Sequence, residues 1–359
     1  MKFQILLPLV AMAATSLPAY AGLSGKEQLS ETSRQGSRWS FGGGFAPLLN
    51  IDAEFRGFGG FANPLPAPVI GGGFPYLYEN GFVGQDISGN AGGQTWNWGY
   101  QNNAQYDPAG GGFINQSITN SAANARAGEE GETAPGIDLF ALYDMGAVEW
   151  LDMGSERKPR WGFRGGLHVA SADIDNNSAL TAGVSRTTDS YALNGTIPPL
   201  APYTGTFAGP SPLLSDTPVR TTANLPVGAT VTGNRDLDLF LMTLSVGSYL
   251  ELPLGEKISV HLEAGLSIAL ANGEYSQRSV TTIPGTGAQT TGASGEETDI
   301  LPGFYLGTSV FYDFNDRWSL YGSARYQYLD DFSVRAGTSE AEVSFDGAFI
   351  LSLGGVYSF

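Results

Sequence analysis

The sequence predicts an all-β protein: eight antiparallel strands, or ten, closed into a barrel that crosses a membrane. Three observations predict it. First, Ile258, Val260, Leu262, Ala264, Leu266, Ile268 and Leu270 alternate with Ser259, His261, Glu263, Gly265, Ser267 and Ala269, the period of a strand with two unlike faces. Second, the runs are long. About thirteen residues, at about 3.3 Å each and a tilt near 40°, rise roughly 33 Å, enough to cross an apolar band about 25 Å tall. Third, the connections alternate between brief and long, as they do when every second turn lies on the same side of a bilayer.

The strands are expected at 36–46, 137–150, 160–172, 237–252, 258–271, 299–314, 318–329 and 342–359. The first carries Arg38 inward and Trp39 at its outset; the second ends at Trp150. The third opens on Trp161 and turns Gly162, Arg164, Gly166 and His168 inward. The fourth contributes Gly247 and Glu251, and the fifth His261, Glu263 and Gly265. The sixth ends at Phe314. It holds Pro302, which suits a closed ladder only where the strand clears the bilayer. The seventh starts at Trp318 and directs Ser323, Arg325 and Gln327 inward, and the eighth runs to Phe359.

Trp39, Trp150, Trp161 and Trp318 therefore fall at strand ends beside brief turns, joined by Phe314, Tyr357 and Phe359, and are expected to form an interfacial girdle. Phe304, Tyr326, Tyr328 and Phe345 are candidates for the opposite girdle. Eight strands leave room only for side chains inside, so the lumen is expected to be filled by a polar network of Arg38, Arg164, His168, Glu251, His261, Glu263 and Arg325. Charges enclosed this way must pair or be hydrated. A structural network and a route for protons or solutes both fit these residues.

The chain starts with Lys2, an apolar run from Phe3 to Ala14, and Ala19-Tyr20-Ala21 before Gly22, a signal-peptide pattern. The expected organisation is a signal peptide at 1–21, a periplasmic segment at 22–35 and a barrel at 36–359 with outward loops 47–136, 173–236, 272–298 and 330–341. No stretch is apolar enough to span as a helix. At the other end Ser352, Gly354, Tyr357 and Phe359 form a polar, glycine, apolar, aromatic pattern in a terminal strand. In this the chain resembles bacterial outer-membrane β-barrel proteins, where such a pattern serves as the assembly signal. The topology is similar to the eight-stranded class that includes outer-membrane proteins A, W and X. The stretch NAGGQTWNWGY resembles one found in uncharacterised outer-membrane barrels with long loops. The resemblance implies insertion by the barrel-assembly machinery and contact with outer-membrane lipids and lipopolysaccharide. No peptidoglycan-binding domain follows Phe359, so the anchoring role of the first of those proteins is not carried over.

Composition sets limits on partners and chemistry. With no cysteine the chain cannot be a disulfide scaffold, and a net charge of −17 argues against nucleic acid, which demands a basic surface. The four outer loops carry nets of −6, −2, −2 and −2, from which diffuse association of calcium or magnesium is expected, without a defined metal site. Asp173-Ile174-Asp175-Asn176-Asn177 begins like a calcium loop, but Ser178 and Val184 stand where the turn glycine and the bidentate glutamate belong. The glycine runs lack a nucleotide fingerprint, and no cofactor is called for. Lipid-modifying barrel enzymes place histidine, serine and carboxylate at the outer rim, whereas His168 is expected at mid-barrel and His261 near the opposite end. The chain is therefore read as a non-enzyme.

The loops remain as the functional surface. Trp96, Trp98 and Tyr100, with Phe74, Tyr76 and Tyr78, suit a small loop core or a ligand platform. The first loop also has room for a hairpin around 74–83 with 94–101 or 112–118, standing above the membrane or adding two strands to the wall. Two functions follow: a structural or surface-binding barrel with a packed lumen, or a narrow porin-like conduit for small or apolar solutes. A lipid-modifying enzyme is the third.

Overall fold

The computed structural model describes residues 38–63, 75–86, 89–151, 157–206 and 209–359. The expected signal peptide, the segment 22–35 and Phe74 lie outside the described residues. Eight strands form the barrel: β1 (Trp39–Phe45), β2 (Gly136–Ala147), β3 (Arg160–Asn176), β4 (Ala229–Pro253), β5 (Ile258–Ile283), β6 (Gly287–Asp313), β7 (Trp318–Leu329) and β8 (Ala348–Ser358). Each pairs antiparallel with the next, and β8 returns to β1 from Ser40↔Ser358 to Phe45↔Leu353, so the ring is closed and no edge is left. At this seam Gly44 faces Gly354. A Cβ on either would fall within 2.7 Å of the other's Cα, so the backbones meet at a distance only glycine permits.

The barrel is far taller than a bilayer. The 26 residues of β5 rise roughly 65 Å at the usual tilt, more than twice the apolar band. Side-chain parity never changes along the strand, but the chemistry of each face does. On β5 the outward residues run Leu262, Leu266, Ile268, Leu270 and then Asn272, Glu274, Arg278. The inward ones run His261, Glu263, Ser267 and then Ala269, Ala271, Tyr275. On β4 the outward face passes from Phe240 to Asp238 within two residues while Leu241, Leu239 and Leu237 stay buried inside. Below that level the wall faces lipid around a polar lumen. Above it the same wall faces water around an apolar core.

This inversion explains why several strands outrun their expected bounds. The outward apolar face ends at the rim, and sequence periodicity sought on that face stops with it, although the ladder continues unbroken. The expected loop 272–298 is thus a continuous hairpin of β5 and β6, and 330–341 is mostly a second hairpin, Phe332–Ala336 with Ser339–Ser344. The long connection 47–136 begins and ends in wall strands, Leu48–Phe58 and Ala125–Ala134, which pair with each other and extend β1 and β2 upward. It adds no strand to the membrane ring.

Pro302 opposes Ile268 at the upper rim, where the β6–β7 ladder begins only at Gly303↔Leu329, and no ladder donor is missing. Phe345, expected in the upper girdle, is fully buried: it lies in the turn before β8, above the lipid level, and turns into the upper core. That core joins Phe55, Leu237, Leu239, Leu241, Tyr275, Phe332 and Ile350 across the bore.

Candidate functional site: lumen and head

The lumen is built in layers, each from residues that the ladder brings to one height. Nearest the short turns, Arg157 Nη2 lies 2.9 Å from Glu251 Oε1, and Arg160 pairs with Asp144. His261 is sandwiched between Tyr249, stacked at 4.8 Å, and Phe311 at 4.1 Å, with its Nε2 4.0 Å from Glu251 Oε2. At the next level Arg164 donates to Asp138 Oδ2 and Glu263 Oε2, both at 2.7 Å, and lies over the Phe140 ring. Ser309 donates to Glu263 Oε1 at 2.7 Å, and Arg325 approaches Asp138 at 3.6 Å from the other side. Two cations and two carboxylates thus balance in the buried middle of the barrel, as charges removed from water require. Gly247 and Gly265, opposite each other on β4 and β5, let the Tyr305 ring lie flat against the wall: a Cβ on either would come within 2.7 Å of it.

Above this, Gln327 Nε2 donates to Ser267 Oγ at 2.7 Å and His168 Nε2 contacts the Ala46 carbonyl at 2.8 Å. Then the apolar core begins. The polar half of the bore is closed on its upper side, with Arg164, His168, His261, Glu263 and Arg325 filling it and Glu251 nearest the short turns. Arg38 is not part of it. It lies exposed in the bend before β1, because pairing with β2 starts only at Trp39. Sequence reasoning missed Asp138, the carboxylate that both arginines share. Its alternation with outward Ile137 and Leu139 in β2 was the available signal.

Trp39, Trp161 and Trp318 face outward near the short turns, with Trp39 against Tyr143 and Trp318 against Tyr357, which in turn meets Phe359 edge-on at 4.9 Å. Trp150 lies past the end of β2 in the turn, 84% exposed, so it is no strand-end residue. In the terminal pattern Ser352 and Gly354 point inward and Tyr357 and Phe359 outward.

The two longest connections fold together above the barrel. One four-stranded sheet orders Val219–Asn224, Val184–Ala192, Phe113–Ser121 and Tyr106–Asp107; the other orders Tyr203–Thr204, Trp98–Tyr100, Gly81–Gly84 and Pro75–Tyr78. Each mixes strands from both connections, so the two loops are interlocked. Trp98, Tyr100, Ile114, Tyr191, Leu193 and Leu214 form the core of this head. The Trp98 indole donates to the Pro212 carbonyl at 2.7 Å and the Tyr100 hydroxyl to that of Pro199, pinning the proline-rich stretch. Trp98 and Tyr100 are therefore core residues rather than an exposed platform.

A polar clamp ties the head's elements together. Asp189, wholly buried, accepts from Arg220 at 2.7 and 2.6 Å and from the Tyr78 hydroxyl at 2.6 Å, and Tyr78 meets Tyr191 at 2.6 Å. Burial alone would push the Asp189 carboxyl up, but Arg220 and Tyr78 outweigh it and hold the group below its ordinary range. Burial raises both tyrosines.

On the outer wall just above the lipid level, Asp173, Asp238, Glu274 and Glu296 stand opposite one another across β3, β4, β5 and β6. Beside them, Asp175 faces Asp236, whose carboxyl is raised by burial and then by the neighbouring Asp175 carboxyl. Among the described residues no group of three or more potential ligands is arranged to hold a metal ion, and neither imidazole has a hydroxyl partner.

The closed ring, its lipid-facing belt and its polar bore decide the class. The fold is an eight-stranded transmembrane β-barrel of the outer-membrane type. No protein-family model and no curated protein matches the chain. Among solved structures it is similar to the outer-membrane protease OmpT from Escherichia coli, at 11% identity and a TM-score of 0.30 over 93% of this chain and 99% of that one. It is also similar to Ail, the attachment invasion locus protein of Yersinia pestis, at 8% identity and a TM-score of 0.25 over 89% and 99%. These likenesses are too distant to carry an argument about activity.

Proposed function

We propose that this barrel resides in the outer membrane with its head outward, and that its role is surface binding, not conduction. The observation that carries this reading is the double closure of the bore. Arg164, Asp138, Glu263 and Arg325 occupy its polar half, and Leu237, Leu239, Leu241, Phe55 and Phe332 fill the half above. A solute path would have to break both the ion pairs and the core. The head supports the same reading, because a scaffold that only held lipid would not need two interlocked sheets with their own core. Short turns on one side and long connections on the other favour an outward head. The row from Asp173 to Glu296 lies at the height where divalent cations would bridge it to lipopolysaccharide phosphates. The test is conductance: purified full-length protein in planar bilayers should give no discrete channels, and stable unitary currents would overturn the reading. A membrane-impermeant maleimide should label a cysteine placed at Thr221 in intact cells.

A further inference from the structure

The head ends in an unusual strand. Val219–Asn224 is the edge of its sheet, and all six of its residues are exposed. On one side it pairs without a bulge from Ser185↔Asn224 to Ser190↔Val219; on the other no strand lies against it among the described residues. In an antiparallel ladder alternate residues turn their N–H and C=O to opposite neighbours, so half of this strand's backbone groups face away from the sheet. Natural edges are normally blunted by lysine, proline, bulges or a covering loop. Here the strand holds no lysine or proline, and its one charge, Arg220, is engaged by Asp189. Pro218 and Pro226 flank it and limit the open ladder to a short slot, since proline cannot donate.

We infer that this edge receives an extended, basic segment of a partner protein as a fifth strand. The inference rests on the surface-binding reading and names the partner's form. Backbone pairing supplies the attraction, and the small threonine and alanine side chains make the slot tolerant of sequence. Charge selects the occupant. The described head carries Glu79, Asp86, Asp107, Asp189 and Asp216 against only Arg186 and Arg220, above a wall lined with carboxylates. A second copy of a chain with net charge −17 is repelled, whereas a lysine-flanked strand is drawn in.

The chain has no cysteine, so Thr221→Cys and Ala223→Cys each give a single thiol on full-length protein in detergent. The probe is a short peptide of alternating threonine and valine with lysines at both ends and one cysteine moved along it. With copper–phenanthroline as the oxidant that takes up the two electrons, a mixed disulfide should form at a preferred peptide position, which shifts toward the peptide's opposite end when the chain thiol moves from 221 to 223. Methylating the backbone nitrogens on one edge of the peptide should weaken binding about tenfold or more. Cross-linking that ignores position or methylation, or disulfide dimers of the chain without peptide, would overturn the inference. If the peptide fails while bilayers stay silent, only this inference falls; a conducting barrel removes the binding reading itself.

Discussion

Asp238 and Phe240 are successive outward residues of one unbroken strand, yet they meet different solvents, water above and lipid below. The step is sharp because parity is fixed by the ladder and cannot drift, so the change of surroundings must be written into side-chain type. Below the step a charge on the outer face is costly, and above it a charge is ordinary. Leu266→Arg, well inside the belt, should lose about 2–4 kcal/mol in urea unfolding from lipid vesicles. Asn272→Arg, three outward positions higher on the same strand, should stay within about 0.5 kcal/mol of the parent.

The buried charges make a second expectation. Arg164 holds Asp138 and Glu263 at 2.7 Å, and Arg164→Met leaves Asp138 to the more distant Arg325 and Glu263 to Ser309 alone. Breaking such a pair strands a charge, so about 3–5 kcal/mol should be lost in the same unfolding experiment. Glu263→Gln should cost less, because the amide keeps the Ser309 contact and Arg164 keeps Asp138.

The barrel class was legible in the sequence because the lipid belt writes a period of two on residues such as Leu262 and Leu266. Of the head, the aromatics and the pairing of 74–83 with 94–101, seen as Gly81↔Tyr100 to Val83↔Trp98, were legible, and the rest was not. Its strands pair across the two long connections, Ser185 with Asn120 for example, and such pairing leaves no local period. In the lumen His261, Glu263 and Arg164 followed from parity. Arg38 did not, since one residue outside the ladder is enough to lose the inward face, and Asp138 was hidden in a run read for its apolar neighbours.

The head should be acid-sensitive. Asp189 is held below the usual carboxylate range by Arg220 and Tyr78. A depressed folded pKa contributes stability above the ordinary Asp value of about 3.9, and that contribution is lost as pH falls through the lower folded value. Near-ultraviolet circular dichroism of the head tryptophans should therefore collapse in that window in the parent. In Asp189→Asn the signal should be weaker at neutral pH and flat across the window.

Trp98→Ala should remove the centre of the head core, costing about 3–5 kcal/mol there, while the barrel keeps its urea midpoint. Limited proteolysis reads the difference: cuts in the two long connections, none in β4 to β7.

Divalent cations give a further expectation at the carboxylate row. Chelation of outer-membrane preparations should lower the barrel's thermal midpoint, and Asp238→Asn with Glu274→Gln should abolish that response by relieving like charges placed opposite one another. An unchanged midpoint in the parent would remove the cation bridge.

Depth-resolved quenching tests the inverted wall most directly. Single cysteines along β5, labelled with a fluorophore in a chain that has none of its own, can be read against quenchers attached to lipid acyl chains. Strong quenching is expected at Leu262, Leu266 and Leu270 and none at Glu263, Ser267, Glu274 or Arg278. Quenching at Glu263 and Ser267 with silence at Leu262 and Leu266 would mean that the greasy face points inward, and the transmembrane barrel would be contradicted.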